Sequence, residues 1–213
     1  MCCRYYMDRE LELSSIVEEM NRSPLGQKMV QKLGKPLCIG GEVKPSYIVP
    51  VIAPGSAAGE PRVFPMIWGY RHPGTGKALI NCRAETAGER PLWKEAWRAH
   101  RCAIPASGYF EWEHPINPRT GRPRTGQKYR IRPREEGLTW LAGLYHLEEM
   151  KGLRVPTFSI LTREPAEEIR FIHDRMPLIL PRGEIAAWID PRRPPEPLLE
   201  KAVTELYAEK ETI

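Results

Sequence analysis

Apolar and polar positions follow a helical spacing near the two ends of the chain, while short alternating or continuous apolar runs fill the middle. Cys2 to Met7 is short and tyrosine-rich, as strands are, and Asp8 reads as the N-cap of an amphipathic helix to about Met20. A second helix is expected from Pro24 to Leu33, ending at Gly34; Gly40-Gly41, Pro45 and Pro50 then punctuate an extended segment through Val51 and Ile52. Strands are expected at Val63 to Tyr70, Ala78 to Arg83, Cys102 to Trp112, Gln127 to Arg132, Leu138 to Tyr145 and Val155 to Leu161. Helical spacing returns at Leu92 to His100, Pro165 to Ile172, Glu184 to Ile189 and Pro197 to Lys210. Central strands with helices at the ends and in crossovers predict an α+β fold, read as one domain over residues 1–213.

Length and composition narrow the setting. A chain of 213 residues closes a substantial core. No run approaches the roughly 18 apolar residues of a membrane span. The N-terminal MCCRYYMDRELEL carries acidic residues where a signal peptide would be apolar, so a cytoplasmic protein is expected, with no membrane partner. Five cysteines, Cys2, Cys3, Cys38, Cys82 and Cys102, form no C-x-x-C pair, which argues against a disulfide framework and against a zinc ribbon. The net charge of +5 suits a polyanion. His114 to Gly126 reads as an exposed loop, and the cations from Arg119 through Arg122, Arg124, Lys128, Arg130 and Arg132 to Arg134 form a run that is either a phosphate contact or an ordinary solvated face.

Position 2 adds chemistry. Methionine aminopeptidases remove Met1 when the next residue is small, so the mature chain is expected to begin at Cys2, with an α-amine and a thiol on adjacent carbons. An α-amine with a pKa of about 7.7 to 8.0 is partly neutral at physiological pH and attacks an aldehyde directly. The imine so formed lies within reach of the same residue's thiol, and closure to a five-membered thiazolidine is effectively unimolecular. A second-position cysteine taken alone is more often a packing residue.

Four segments together say more: MCCRYY at the start, WGY and ALINCRAET within Trp68 to Thr86, ASGYFEW at Ala106 to Trp112, and IHDRMPLIL at Ile172 to Leu180. This combination resembles the SRAP (SOS-response-associated peptidase) family, in order and over nearly the whole chain. The resemblance implies a central mixed, largely antiparallel, barrel-like β-sheet flanked by helices. It also implies covalent crosslinking to abasic sites in single-stranded DNA during the DNA damage response. Carried over, Cys2 is the nucleophile, Asn81 positions it or the sugar, Glu111 is the acid/base and His173 assists imine chemistry.

The residue types fit those roles. An abasic deoxyribose is mostly a closed hemiacetal, and a carboxyl group that moves a proton to and from the ring oxygen helps release the aldehyde. Period-2 alternation puts Glu111 on the opposite face from Phe110 and Trp112, in a strand where burial raises its pKa. His173 sits at a junction that projects a side chain into a cleft, and a neutral imidazole relays protons. Asn81 both donates and accepts hydrogen bonds. Arg83, two residues on, and Arg4 are expected to bind phosphates flanking the lesion, with Arg175 of the H-D-R motif; Trp68 or Trp112 is expected to stack on an exposed base.

The chain departs from the family's pattern at Cys3, where relatives have glycine, at Tyr47, where asparagine is frequent, and at Met176, where some have arginine. No cofactor or metal is expected; a zinc site from Cys2, Cys3 and a histidine lacks a second paired ligand element. A monomer is expected. The competing readings are an N-terminal-cysteine peptidase acting on peptides or its own leader, a lyase working through a persistent imine, and a non-covalent single-stranded-DNA-binding module.

Overall fold

The computed structural model describes residues 3–8, 11–55, 60–72 and 74–211. Strand β1 (Arg4–Met7) is followed by helices α1 (Leu11–Arg22) and α2 (Pro24–Leu33). Strands β2 (Gly41–Val43), β3 (Ile48–Pro54), β4 (Pro61–Trp68), β5 (Tyr70–Arg71), β6 (Ala78–Leu79) and β7 (Asn81–Arg83) lead to helices α3 (Ala84–Ala87) and α4 (Pro91–Ala99). Then come β8 (Arg101–Ala106), β9 (Gly108–Trp112), β10 (Lys128–Pro133), β11 (Thr139–Met150) and β12 (Leu153–Arg163). The chain closes with β13 (Met176–Pro177), β14 (Ile179–Leu180), α5 (Ile185–Ile189), α6 (Glu196–Leu199) and β15 (Leu206–Lys210).

Five strands close on themselves in the order β12-β4-β3-β8-β11 and back to β12, a barrel whose one parallel contact is β12 with β4. This is the mixed, barrel-like α+β architecture expected. The β11–β12 pairing runs to Gly143 and Ile160; beyond it β14 bonds to β11, and β13 and β7 bond to the end of β12. A second sheet, β15-β10-β9-β1-β2, is antiparallel throughout. Tyr5 of its inner face meets Trp68 of the barrel at 5.3 Å between ring centroids.

Particular residues account for these boundaries. Pro24 at the first turn and Ser23 accepting the Gly26 amide start α2, and Gly34 ends it in the left-handed region at φ 64°. The single strand expected over Cys102 to Trp112 is two strands in different sheets, β8 and β9, which break at Ser107. Gly108 is required at that corner, since a Cβ there would lie 2.5 Å from the Ile131 carbonyl oxygen and closer still to the Tyr6 hydroxyl. The Ala78 to Arg83 strand is likewise split at Ile80, whose carbonyl accepts from the Trp68 indole N–H.

Two expected helices are corrected. Pro165 to Ile172 holds only a 3-10 turn at Glu167–Ile169; so short a stretch gains too few bonds to offset nucleation. Pro197 to Lys210 is α6 for one turn and then β15, because pairing with β10 from Tyr129↔Lys210 to Pro133↔Leu206 overrides the helical spacing. Helix α1 is placed at Leu11–Arg22, and Asp8 ahead of it pairs with Arg130 while its amide donates to Ser107. The loop from His114 to Gly126 lies between β9 and β10, mostly exposed, as expected.

Candidate active site

Strand β9 lies between β1 and β10, with Tyr129 opposite Glu111 and Phe110 opposite Arg4. One step further in the same register brings Cys3 across from Glu111. Alternation divides the strand as expected. Phe110 and Trp112 turn to one face, where the Lys128 ammonium sits 3.7 Å from the Phe110 ring centroid and 5.5 Å from that of Trp112. Glu111 turns to the other and is 3% exposed. Burial raises the Glu111 carboxyl above the usual carboxylate range, against the Trp112 amide, which donates to Oε1 at 3.3 Å, and the nearby His114. Burial raises the half-buried Cys3 thiol as well, and the Glu111 charge adds to the shift.

His173 approaches the same carboxyl from the segment between β12 and β13. One donor atom from each of Glu111, His114 and His173 lies within 4.8 Å of the others. The His114 and His173 rings meet edge to face at 5.3 Å. The His173 Nδ1 is 2.6 Å from an Asp174 carboxylate oxygen and 3.1 Å from the Arg175 amide nitrogen. Nδ1 thus faces both the Arg175 amide, which donates to it, and the Asp174 carboxylate, which accepts from a protonated ring nitrogen. Burial lowers the His173 pKa, so the ring is neutral at physiological pH. A cavity of about 450 Å³ opens beside this cluster, lined by Glu113, His114, Arg170, Phe171, His173 and Asp174 among others.

His114 had no signal in the sequence beyond its place in a polar loop. That loop folds back on β9 because the Gly126 amide donates to the Glu113 carbonyl and the Arg124 amide to that of Pro115. Phe171, 62% exposed, borders the same cavity and packs edge-on against Tyr129. Asn81 is half-buried at the start of β7, with Arg83 exposed two residues on, alongside Ile160 to Thr162 of β12. Cys2 lies outside the described residues.

Two expected DNA contacts are corrected. Trp68 is 0% exposed, stacked on Phe158 at 6.5 Å with its N–H bonded to the Ile80 carbonyl, so no base can reach it. Arg175 is occupied: its two terminal nitrogens each donate at 2.8 Å to a Glu85 oxygen, and one also donates to the Thr162 carbonyl. It ties α3 to β12. Arg4 is half-buried and paired with Glu42, which also accepts from Lys128. The expected basic run is therefore partly neutralised, since Arg130 is paired with Asp8 and Glu211. Trp112 and Arg83 keep exposed surface.

Residues 1–212 match the family described as SOS response associated peptidase (SRAP). The chain belongs to the SRAP family. Among its relatives is YobE of Bacillus subtilis (strain 168), named an abasic site processing protein, 33% identical over an alignment of 165 residues that covers 71% of this chain and 71% of YobE. YedK of Escherichia coli (strain K12), named likewise, is 28% identical over 126 residues, 59% of this chain and 54% of YedK. A crystal structure of a Bacteroides thetaiotaomicron protein superposes with a TM-score of 0.71 at 23% identity, covering 99% of this chain and 92% of that one. The crystal structure of a phage-related protein from Bordetella bronchiseptica gives 0.71 at 20%, covering 100% and 95%. Both share the fold. Among the described residues of this SRAP chain, no helix is long and apolar enough to cross a membrane.

Proposed function

We propose that this protein captures abasic sites in single-stranded DNA as a covalent link through Cys2, as a cytoplasmic monomer without a resident cofactor. The observation that carries the reading is the buried Glu111 carboxyl, its pKa raised by burial, opposite Cys3 and grouped with His173. Cys2 directly precedes Cys3 in the sequence. A nucleophile at that position works beside a proton donor and a neutral imidazole. The names of YobE and YedK point to the same class of lesion.

Glu111 in its acid form donates to the ring oxygen of the closed sugar as the C1′ hydroxyl gives up its proton to water, and the ring opens to the aldehyde. The neutral α-amine of Cys2 adds to C1′, and the carbinolamine loses water to an imine with the His173 imidazole moving the proton from nitrogen to the departing hydroxyl. The thiol S–H then adds across the C=N bond, sulfur to carbon and hydrogen to nitrogen, closing the thiazolidine. Asn81 positions the amine or the sugar. Arg4 and Arg83 contact flanking phosphates, and Trp112 stacks on a neighbouring base.

Incubation with single-stranded DNA bearing one abasic site, followed by a denaturing gel, tests the reading. A heat-stable slow band that needs the lesion and disappears in Cys2→Ala is expected. Salt-sensitive binding indifferent to Cys2, with no band, would move the function to a non-covalent module.

A further inference from the structure

The Glu111, His114 and His173 cluster has the composition of a metal site. A carboxylate with two imidazoles is a donor set that binds zinc in open, three-ligand sites. All three are drawn from separate places in the chain: Glu111 from β9, His114 from the loop after it, and His173 from the segment before β13. Their donor atoms lie within 4.8 Å of one another. Ligands on a tetrahedral zinc ion stand about 3.3 Å apart, so closure needs movements of up to about 1.5 Å. His114 supplies these by side-chain rotation, being exposed on its loop, while Glu111 and His173 are held by the fold.

A second observation points the same way. Asp174 reaches Nδ1 of His173 at 2.6 Å. A carboxylate fixing the far nitrogen of an imidazole is the arrangement that orients histidine ligands and raises their basicity. The cavity of about 450 Å³ beside it leaves room for water on the open coordination position.

We propose that Glu111, His114 and His173 bind one divalent transition ion, zinc best, and that the bound ion blocks the site. The inhibition rests on the capture reading given above, because the ion takes the carboxylate and the imidazole that move protons. The binding does not.

Zinc is titrated into chelator-treated full-length protein against a chromophoric competitor, and cobalt absorption then reports the ligand type. One ion is expected to bind, with cobalt bands typical of nitrogen and oxygen ligands. His114→Ala is expected to weaken it about ten- to a hundredfold, and Asp174→Asn by a similar factor. Capture of abasic DNA, compared with and without zinc for each variant, is expected to be suppressed in the wild type, restored by chelator and insensitive to zinc in His114→Ala. Undiminished binding in His114→Ala, or loss in Cys2→Ser and Cys3→Ser with sulfur-to-cobalt charge transfer, would overturn the proposal in favour of thiol binding. Zinc that binds through the histidines while no abasic DNA is captured would instead remove the capture reading and leave the metal site standing.

Discussion

At the scale of single residues, Glu111 links the sequence pattern to the chemistry. Its alternation with Phe110 and Trp112 was readable along the chain, and the sheet register converts it into burial beside Cys3. In the folded chain burial raises its pKa above the unfolded value. The folded state therefore holds that proton more tightly, and stability falls as pH rises through the window between the two values. At neutral pH the ionised carboxylate is a net cost. Glu111→Gln is expected to melt at a higher temperature than the wild type at pH 7, and at an unchanged one under acid conditions that protonate both states. The same variant is expected to slow abasic-site capture by about 100-fold, measured by single-turnover gels. The wild-type rate should rise with pH as the α-amine loses its proton and fall again as Glu111 does. His114 was not legible, because a histidine in a polar loop has the same sequence pattern whether it points to water or back onto a strand.

At the scale of elements, two arginines act as ties. Arg101 is fully buried and donates to the carbonyls of Trp97, Arg98, Trp188, Asp190 and Arg193, joining the end of α4 and the start of β8 to α5 and the turn after it. Removing the guanidinium strands buried acceptors at about 1 to 3 kcal/mol each. Arg101→Met is expected to destabilise the fold by at least about 3 kcal/mol in urea unfolding at constant m-value. Arg175 does the same for α3 and β12 through Glu85 and Thr162. Burial pushes Glu85 up, but the bonds from Arg175 outweigh it and hold the carboxyl below its ordinary value. That contribution is present above the unfolded pKa and lost as pH falls through the folded one. Arg175→Ala is expected to cost about 1 to 2 kcal/mol at pH 7 and distinctly less at pH 3. An H-D-R motif next to a cleft suggested a phosphate contact for this arginine; its ion pair depends on Glu85, ninety residues away along the chain, and periodicity carries no trace of it.

At the scale of the molecule, strand positions were legible because apolar runs and turn residues mark them, whereas their partition between two sheets was not. Cys102 to Trp112 reads as one strand, but at Gly108 the chain turns from the barrel into the five-stranded sheet. Leu198, Leu199, Ala202, Val203 and Leu206 have helical spacing, yet the final strand forms on the free edge of β10. Closure of the barrel through β12 depends on one short parallel contact with β4, at Thr157↔Ile67 and Phe158↔Trp68, which local patterns do not encode. These two sheets bring β9, the loop after it and the segment before β13 to one place, and the account of function rests on what the N-terminal residue does there.

The most direct test is the intact mass of the product formed with an abasic oligonucleotide, followed by mapping of the modified peptide. The account predicts protein lacking Met1 plus the oligonucleotide less one water, with the bond on Cys2 and the remaining thiols alkylatable. An adduct on a lysine, or no adduct from protein verified to begin at Cys2, would contradict it.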